Sequence, residues 1–213
     1  MSKPFHYDPD KESKAYPMIR PVIHFLVKFV FREQVIGLEN IPQEGNFIVA
    51  CNHITAIDPV FIAENCPRTV HFMAKVSLFK KAFPRWLLTT MNAFPVDRGR
   101  VDMKAIRYAQ ALLDRGHVLG IFPEGTRSKT GTPQRAKGGV AMIANQTHSN
   151  ILPVCIYFDG KPHFRSRLTI RYGEVIPYEA LGLEDDEHNA QTLRDAAAFV
   201  MEKITELWQM KHE

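Results

Sequence analysis

Val118-Leu119-Gly120-Ile121-Phe122 runs without a polar break into Pro123-Glu124-Gly125-Thr126-Arg127-Ser128. A short run that is apolar at every position, rather than alternating, fits a strand covered on both faces, as in a parallel sheet flanked by helices. Ile151-Leu152-Pro153-Val154-Cys155-Ile156-Tyr157-Phe158 reads the same way, so both runs are expected in the interior of the sheet. A third run, Phe47-Ile48-Val49-Ala50-Cys51, passes into Asn52-His53-Ile54-Thr55-Ala56-Ile57-Asp58. Two apolar runs that each end in a polar cluster suggest two strand ends opening on one cleft, where α/β proteins keep their ligand sites.

Working outward, further strands are expected over residues 35–38, 70–73, 93–96 and 167–172. Ile106, Ala109, Leu112 and Leu113 give residues 102–115 a helical stripe that Gly116 ends, and residues 191–210 close the chain as an amphipathic helix. The alternation predicts a single α/β domain with a central mixed, largely parallel sheet flanked by helices. A chain of 213 residues, 45% hydrophobic and 23% charged, suits one globular domain. Three divisions are expected: a polar N-terminal tail over 1–16, an amphipathic interfacial helix over 17–33, and the main domain over 34–213. In the helix, Arg20, His24, Lys28 and Arg32 recur every fourth position within an arc of about 120°. That pattern predicts a helix lying in a lipid interface with its basic groups toward headgroups. Residues 77–88 mix Leu78, Phe79, Phe83, Trp86 and Leu87 with Lys80, Lys81 and Arg85, a second interfacial candidate. The alternative for each is an amphipathic core helix, the second one broken at Pro84.

Lys and Arg exceed Asp and Glu by 27 to 23, which favours an anionic partner weakly. The basic residues are scattered, and no helix-turn-helix, RNP or zinc-finger pattern organises them, so nucleic acid is not expected as a partner. Three cysteines without a C-x-x-C pair argue for a reducing compartment rather than a disulfide framework. Residues 1–16 lack a signal-peptide hydrophobic region, and no stretch reaches the ~20 apolar residues of a membrane span. The expected location is cytoplasmic, peripheral on the cytoplasmic membrane face.

His53 and Asp58 would sit about 140° apart on a helix, so a hydrogen bond between them needs a turn. Pro59 disfavours a helical Asp58 and suits the first helical position, making Asp58 the expected N-cap. A loop from Asn52 to that cap could fold the carboxylate back onto His53. The pairing would fix the imidazole tautomer and leave the other nitrogen to take a proton from a substrate hydroxyl. Alternatively, Asp58 is only a helix cap and His53 a satisfied buried polar group. In the second motif, Gly125 permits a turn that lets Glu124 and Arg127 point into one space, and the Arg fork suits phosphate. The alternative there is a charged surface turn.

These residues resemble the glycerolipid acyltransferases typified by 1-acyl-glycerol-3-phosphate acyltransferase. Four blocks stand in family order: Asn52 to Asp58 as NHxxxxD, Phe94-Pro95-Val96-Asp97-Arg98-Gly99-Arg100, the complete FPEGTRS block at Phe122 to Ser128, and Ile151-Leu152-Pro153-Val154. The resemblance covers residues 37–176. It implies transfer of a fatty acyl group from a thioester to the free hydroxyl of 1-acyl-glycerol 3-phosphate, giving phosphatidic acid in phospholipid biosynthesis. It also implies His53 as general base with Asp58 its partner, and acceptor binding by Glu124, Gly125, Thr126, Arg127 and Arg98, with Lys75 and Lys137 as further positive positions. The donor would be acyl-acyl carrier protein or acyl-coenzyme A, the acceptor a lysophospholipid, and an anionic membrane surface a further partner. No bound cofactor is implied. No metal is required, and His and Cys do not recur at the spacings of a zinc site. An acyl-enzyme route through Cys51 is disfavoured, because that thiol also fits an apolar strand position. Competing readings are another glycerolipid or lysolipid acceptor, a noncatalytic lipid-binding module, or a thioester hydrolase.

Overall fold

The computed structural model describes residues 5–97, 99, 102–183 and 189–213. Seven strands, β1 (Arg32–Ile36), β2 (Phe47–Cys51), β3 (Val70–Lys75), β4 (Phe94–Val96), β5 (Val118–Ile121), β6 (Ile151–Phe158) and β7 (Arg167–Tyr172), form one sheet. Their order is β1-β7-β6-β2-β5-β3-β4. Among the strand pairs of the described residues only β6–β7 is antiparallel, so the sheet is mixed and largely parallel, as the sequence predicts. β2 holds the centre, with Val49 opposite Gly120 on one side and Leu152 on the other. Every residue of β2, β5 and β6 is buried, which is what their uniform apolar runs require.

Six α-helices of the described residues cover the two faces: α1 (Tyr16–Val30), α2 (Asp58–Asn65), α3 (Ala82–Thr90), α4 (Met103–Asp114), α5 (Gly139–Thr147) and α6 (Ala190–Gln209). Alternate residues of β2 feed two separate cores. Phe47, Val49 and Cys51 pack with Phe61 and Ile62 of α2, whereas Ile48 and Ala50 pack with Leu112 of α4, Val140 of α5 and Val200 of α6. Asp102 caps α4 by accepting the Lys104 and Ala105 amides, and Gly116 follows the helix at φ +81°, the expected terminator.

Several expectations are corrected. The N-terminal helix ends at Val30, so Arg32 and Glu33 belong to the first strand of the sheet and Arg32 leaves the helical stripe. Arg20 Nε donates to the Glu64 carbonyl at 3.0 Å, and His24 Nδ1 lies 2.6 Å from Glu64 Oε2. These two members of the polar stripe therefore face α2, because the buried Glu64 needs partners. Met18, Val22, Phe25, Leu26 and Phe29 point outward at 50 to 78% exposure, with the apolar face on the surface. The N-terminal segment is a docked strap rather than a tail. Tyr7 Oη donates to the Pro95 carbonyl at 3.1 Å, Tyr108 Oη to the Asp8 carbonyl at 3.2 Å, and the Ser13 amide to Asn92 Oδ1 at 2.7 Å.

Residues 76–90 break at Lys81, between a 3-10 turn (Val76–Lys80) and α3, not at Pro84. Pro84 lies in the first turn of α3, where no intrahelical amide bond is lost. α5 has no counterpart in the sequence reading, and the helix is only nine residues long. No helix of the described residues is long and apolar enough to cross a membrane.

Candidate active site

β2 ends at Cys51, and Asn52 closes the ladder with its side chain. Its Nδ2 donates to the Ile156 carbonyl at 2.9 Å, and its Oδ1 accepts the Ile156 amide at 2.8 Å. An asparagine side chain thus takes the place of one more backbone pair, and the main chain is free to turn away from β6 at His53. The sequence placed Asn52 in the motif without a task; its buried amide at a strand end is the signal.

His53 is 7% exposed and Asp58 is fully buried. His53 Nδ1 lies 2.7 Å from Asp58 Oδ2, which also accepts the amides of Ile54 at 2.6 Å and Thr55 at 2.9 Å. Thr55 Oγ1 donates to Asp58 Oδ1 at 2.5 Å. With three donors already committed to the carboxylate, the network assigns the Nδ1–H tautomer and leaves Nε2 as the lone-pair nitrogen. No described residue hydrogen-bonds to Nε2. Asp58 is the first residue of α2 rather than its N-cap, a position held by Ile57 without a side-chain hydrogen bond. The carboxylate serves the preceding loop instead, so the cap-only alternative is excluded.

The second motif meets the first at the His53 backbone. Glu124 Oε1 accepts the His53 amide at 2.9 Å, and the Ser128 amide donates to the His53 carbonyl at 2.7 Å. Burial, with the nearby Asp58 adding to it, raises the Glu124 carboxyl to about 7, even though the His53 and Gln134 amides oppose the shift. Its Oε2 is buried with no hydrogen-bond partner among the described residues. Gly125 adopts φ +70°, and an added Cβ would lie 3.0 Å from Lys137 Cδ, so the loop and the Lys137 stem both require glycine.

Aromatic rings back the histidine. The His53 ring stacks on Phe122 with centroids 4.1 Å apart at 20°, and Phe122 stacks on Phe72 at 5.8 Å. Gly120 makes room for Phe72, since a Cβ there would fall 2.3 Å from its ring. Phe122 was expected only as an apolar strand residue; its contact with His53 depends on the pairing of β3, β5 and β2.

The remaining candidates are dispersed. Thr126 and Arg127 are exposed on the loop, Lys137 is exposed over Gly125, and Lys75 is exposed at the end of β3, one strand beyond β5. Arg98 lies outside the described residues. Cys51 is fully buried and burial pushes its thiol well up, which leaves no thiolate for an acyl-enzyme route. Beside the second motif, a cavity of about 560 Å³ is walled by Ile121, Phe122, Gly125 and Lys137 and by Ile106, Val140 and Leu193.

A histidine oriented by a buried carboxylate at the carboxyl ends of parallel strands defines an α/β site equipped for base-assisted chemistry. Residues 32–157 match the family model described as Acyltransferase, and the chain belongs to that family. The chain is 33% identical over 121 residues to the 1-acyl-sn-glycerol-3-phosphate acyltransferase of Bacillus subtilis, covering 56% of this chain and 60% of that protein. It is 36% identical over 127 residues to the protein of the same name from Borreliella burgdorferi, covering 58% and 50%. The matched stretches thus span less than two thirds of these relatives. The crystal structure of the 1-acyl-sn-glycerophosphate acyltransferase PlsC from Thermotoga maritima superposes with a TM-score of 0.71 at 27% identity, over 92% of this chain and 81% of that one.

Proposed function

We propose that this chain acylates the free hydroxyl of 1-acyl-glycerol 3-phosphate from an acyl thioester, giving phosphatidic acid for phospholipid biosynthesis. The observation that carries this reading is the 2.7 Å His53–Asp58 pair with Nε2 left open. In the proposed reaction Nε2 takes the hydroxyl proton as the oxygen attacks the thioester carbonyl. The tetrahedral intermediate collapses with loss of the thiolate, and the imidazolium returns the proton to sulfur. Asp58 orients the ring and faces the imidazolium as it forms. Arg127, with Thr126, Lys137, Lys75 and Arg98, would hold the acceptor phosphate. Glu124 and Gly125 would contribute through the loop, because a carboxylate whose Oε1 is already engaged by the His53 amide is a poor phosphate ligand.

The 560 Å³ cavity suits the acyl chain of the donor, whether that is acyl-acyl carrier protein or acyl-coenzyme A. The exposed apolar face of α1 suits an anionic membrane surface. Phe164 extends that face beside Phe29, with ring centroids 5.9 Å apart, and Lys28, Arg32, Arg165 and Arg167 gather round one adjoining groove. Exposed Phe83 and Trp86 on α3 offer a second contact with the cytoplasmic leaflet. In flotation with anionic vesicles, a Phe25→Asp, Phe29→Asp variant should stay with the soluble fraction; undiminished flotation would remove α1 from this account.

Mass-spectrometric detection of phosphatidic acid from lysophosphatidic acid and either donor tests the reaction. Wild type should form it and a folded His53→Ala protein should not. Equal formation by both defeats the assignment to His53. Free fatty acid in place of phosphatidic acid would make the chain a thioester hydrolase.

A further inference from the structure

The end of the sheet opposite His53 carries a second cluster of titratable side chains. His71, near the start of β3, and His117, immediately before β5, hold their rings 5.2 Å apart at 61°. Glu12 of the N-terminal strap places Oε1 3.4 Å from His71 Nε2 and 3.3 Å from His117 Nδ1. We propose that Glu12, His71 and His117 form a binding site for a divalent transition-metal ion of the zinc class.

The distances favour coordination over simple pairing. Charge-assisted hydrogen bonds run at about 2.7–2.9 Å, so contacts of 3.3 and 3.4 Å are long for that purpose. They match the edge of a tetrahedral site, about 3.4 Å between ligand atoms when each bond is roughly 2.0–2.1 Å. The three ligand atoms all lie within 4.8 Å of one another, so the histidine–histidine edge closes by small ring movements. Thr69 Oγ1 donates to Glu12 Oε2 at 3.3 Å, which leaves Oε1 aimed at both rings. His71 is nearly buried, while the Glu12 side chain is 40% exposed. Both line a cavity of about 370 Å³ that gives an ion a way in and room for a water as fourth ligand.

Two imidazoles and one carboxylate suit zinc and its neighbours rather than calcium or magnesium, which prefer oxygen alone. A second trio, His24, Glu33 and Glu64, is also grouped. There His24 and Glu64 already meet at 2.6 Å and Asn65 Nδ2 reaches both carboxylates, while Glu33 Oε2 has no partner among the described residues; with a single imidazole, that trio suits an ion of the zinc class less well. The ligands of the proposed site come from distant segments, with Glu12 and His71 already 59 residues apart and His117 farther still, which is why no spacing in the sequence reveals it. A bound ion would fasten the strap to β3 and β5, and its binding free energy would add to the stability of that attachment.

The full chain, stripped with a chelator and dialysed, is titrated with zinc and with cobalt(II). Metal content, the visible cobalt spectrum and Tm are the readouts. The expected result is one zinc per chain, a tetrahedral cobalt band and a raised Tm. Glu12→Gln and His117→Asn, both at partly exposed positions, should fold without metal and weaken binding by about tenfold or more, whereas Glu33→Gln should not. No zinc uptake overturns the proposal. So does undiminished affinity in the Glu12→Gln, His117→Asn double variant, or loss of binding only in Glu33→Gln.

Discussion

Asp58 and Glu124 are both buried beside His53, yet Asp58 accepts four hydrogen bonds across its two oxygens, whereas Glu124 accepts the His53 amide and leaves Oε2 without a partner. The partners of Asp58 lie three to five residues away, so the first motif organises itself within one loop. The partner of Glu124 lies 71 residues away, so this carboxylate exists to join two strand ends. One acid is fitted to hold a ring, the other to hold a loop. The second task leaves a buried oxygen without a partner among the described residues and a raised carboxyl.

The largest effect expected from this contrast is that of Asp58→Asn. Asparagine can present its carbonyl oxygen to the His53 ring and the two amides, and its NH₂ to Thr55 Oγ1, so the geometry survives while the charge facing the imidazolium is lost. Turnover should fall by about 10²-fold or more with little change in Tm. Steady-state rates beside a thermal melt check it. A loss below tenfold would mean that the local ring of donors holds structure alone, and the distinction between the two acids would collapse.

Glu124→Gln should move the rate far less, within about tenfold or 1.4 kcal/mol of barrier, because the amide oxygen can still accept the His53 amide. Its signature lies in stability. With the folded carboxyl raised from 4.5 to about 7, the native state binds this proton more tightly than the unfolded chain does. The unfavourable contribution of the ionised group is absent below pH 4.5, grows as pH rises, and is complete above about 7. The Tm of Glu124→Gln relative to wild type should therefore rise across that window. A difference that stays flat, or falls, would show that Glu124 is as well satisfied as Asp58.

What could be read from the sequence follows the same division between local and distant partners. The strands β2, β5 and β6 were legible because burial on both faces leaves a uniform apolar run. The His53–Asp58 pairing was legible because two residues five apart can meet only across a turn, although Pro59 pointed to Asp58 as the N-cap where the structure has Ile57. The direction in which α1 faces was not, because it is decided by Glu64 on another helix. The docking of the strap depends on Asn92, Pro95 and Tyr108, and the burial of α5 on α4 and α6, none of which leaves a periodic trace in the segment itself. Phe122 gave no sign of its stacking on His53, since an apolar residue at a strand end reads as core whichever ring it meets.

Gly120→Ala gives the smallest expected change in rate and asks whether His53 is set by its own loop or by the rings behind it. A methyl group at residue 120 would fall 2.3 Å from the Phe72 ring, which must then shift within the stack it shares with Phe122 and His53. Overpacking of this kind costs about 1–3 kcal/mol of stability, read by denaturant unfolding. If the four hydrogen bonds to Asp58 govern the imidazole, turnover should stay within about threefold, roughly 0.7 kcal/mol of barrier, despite that loss. A fall in rate as deep as that of Asp58→Asn would instead place control of His53 in the Phe72–Phe122 stack. The loop would then supply the hydrogen bond while the sheet supplied the position, since a displaced ring can keep Nδ1 on Asp58 and still carry Nε2 away from the acceptor hydroxyl.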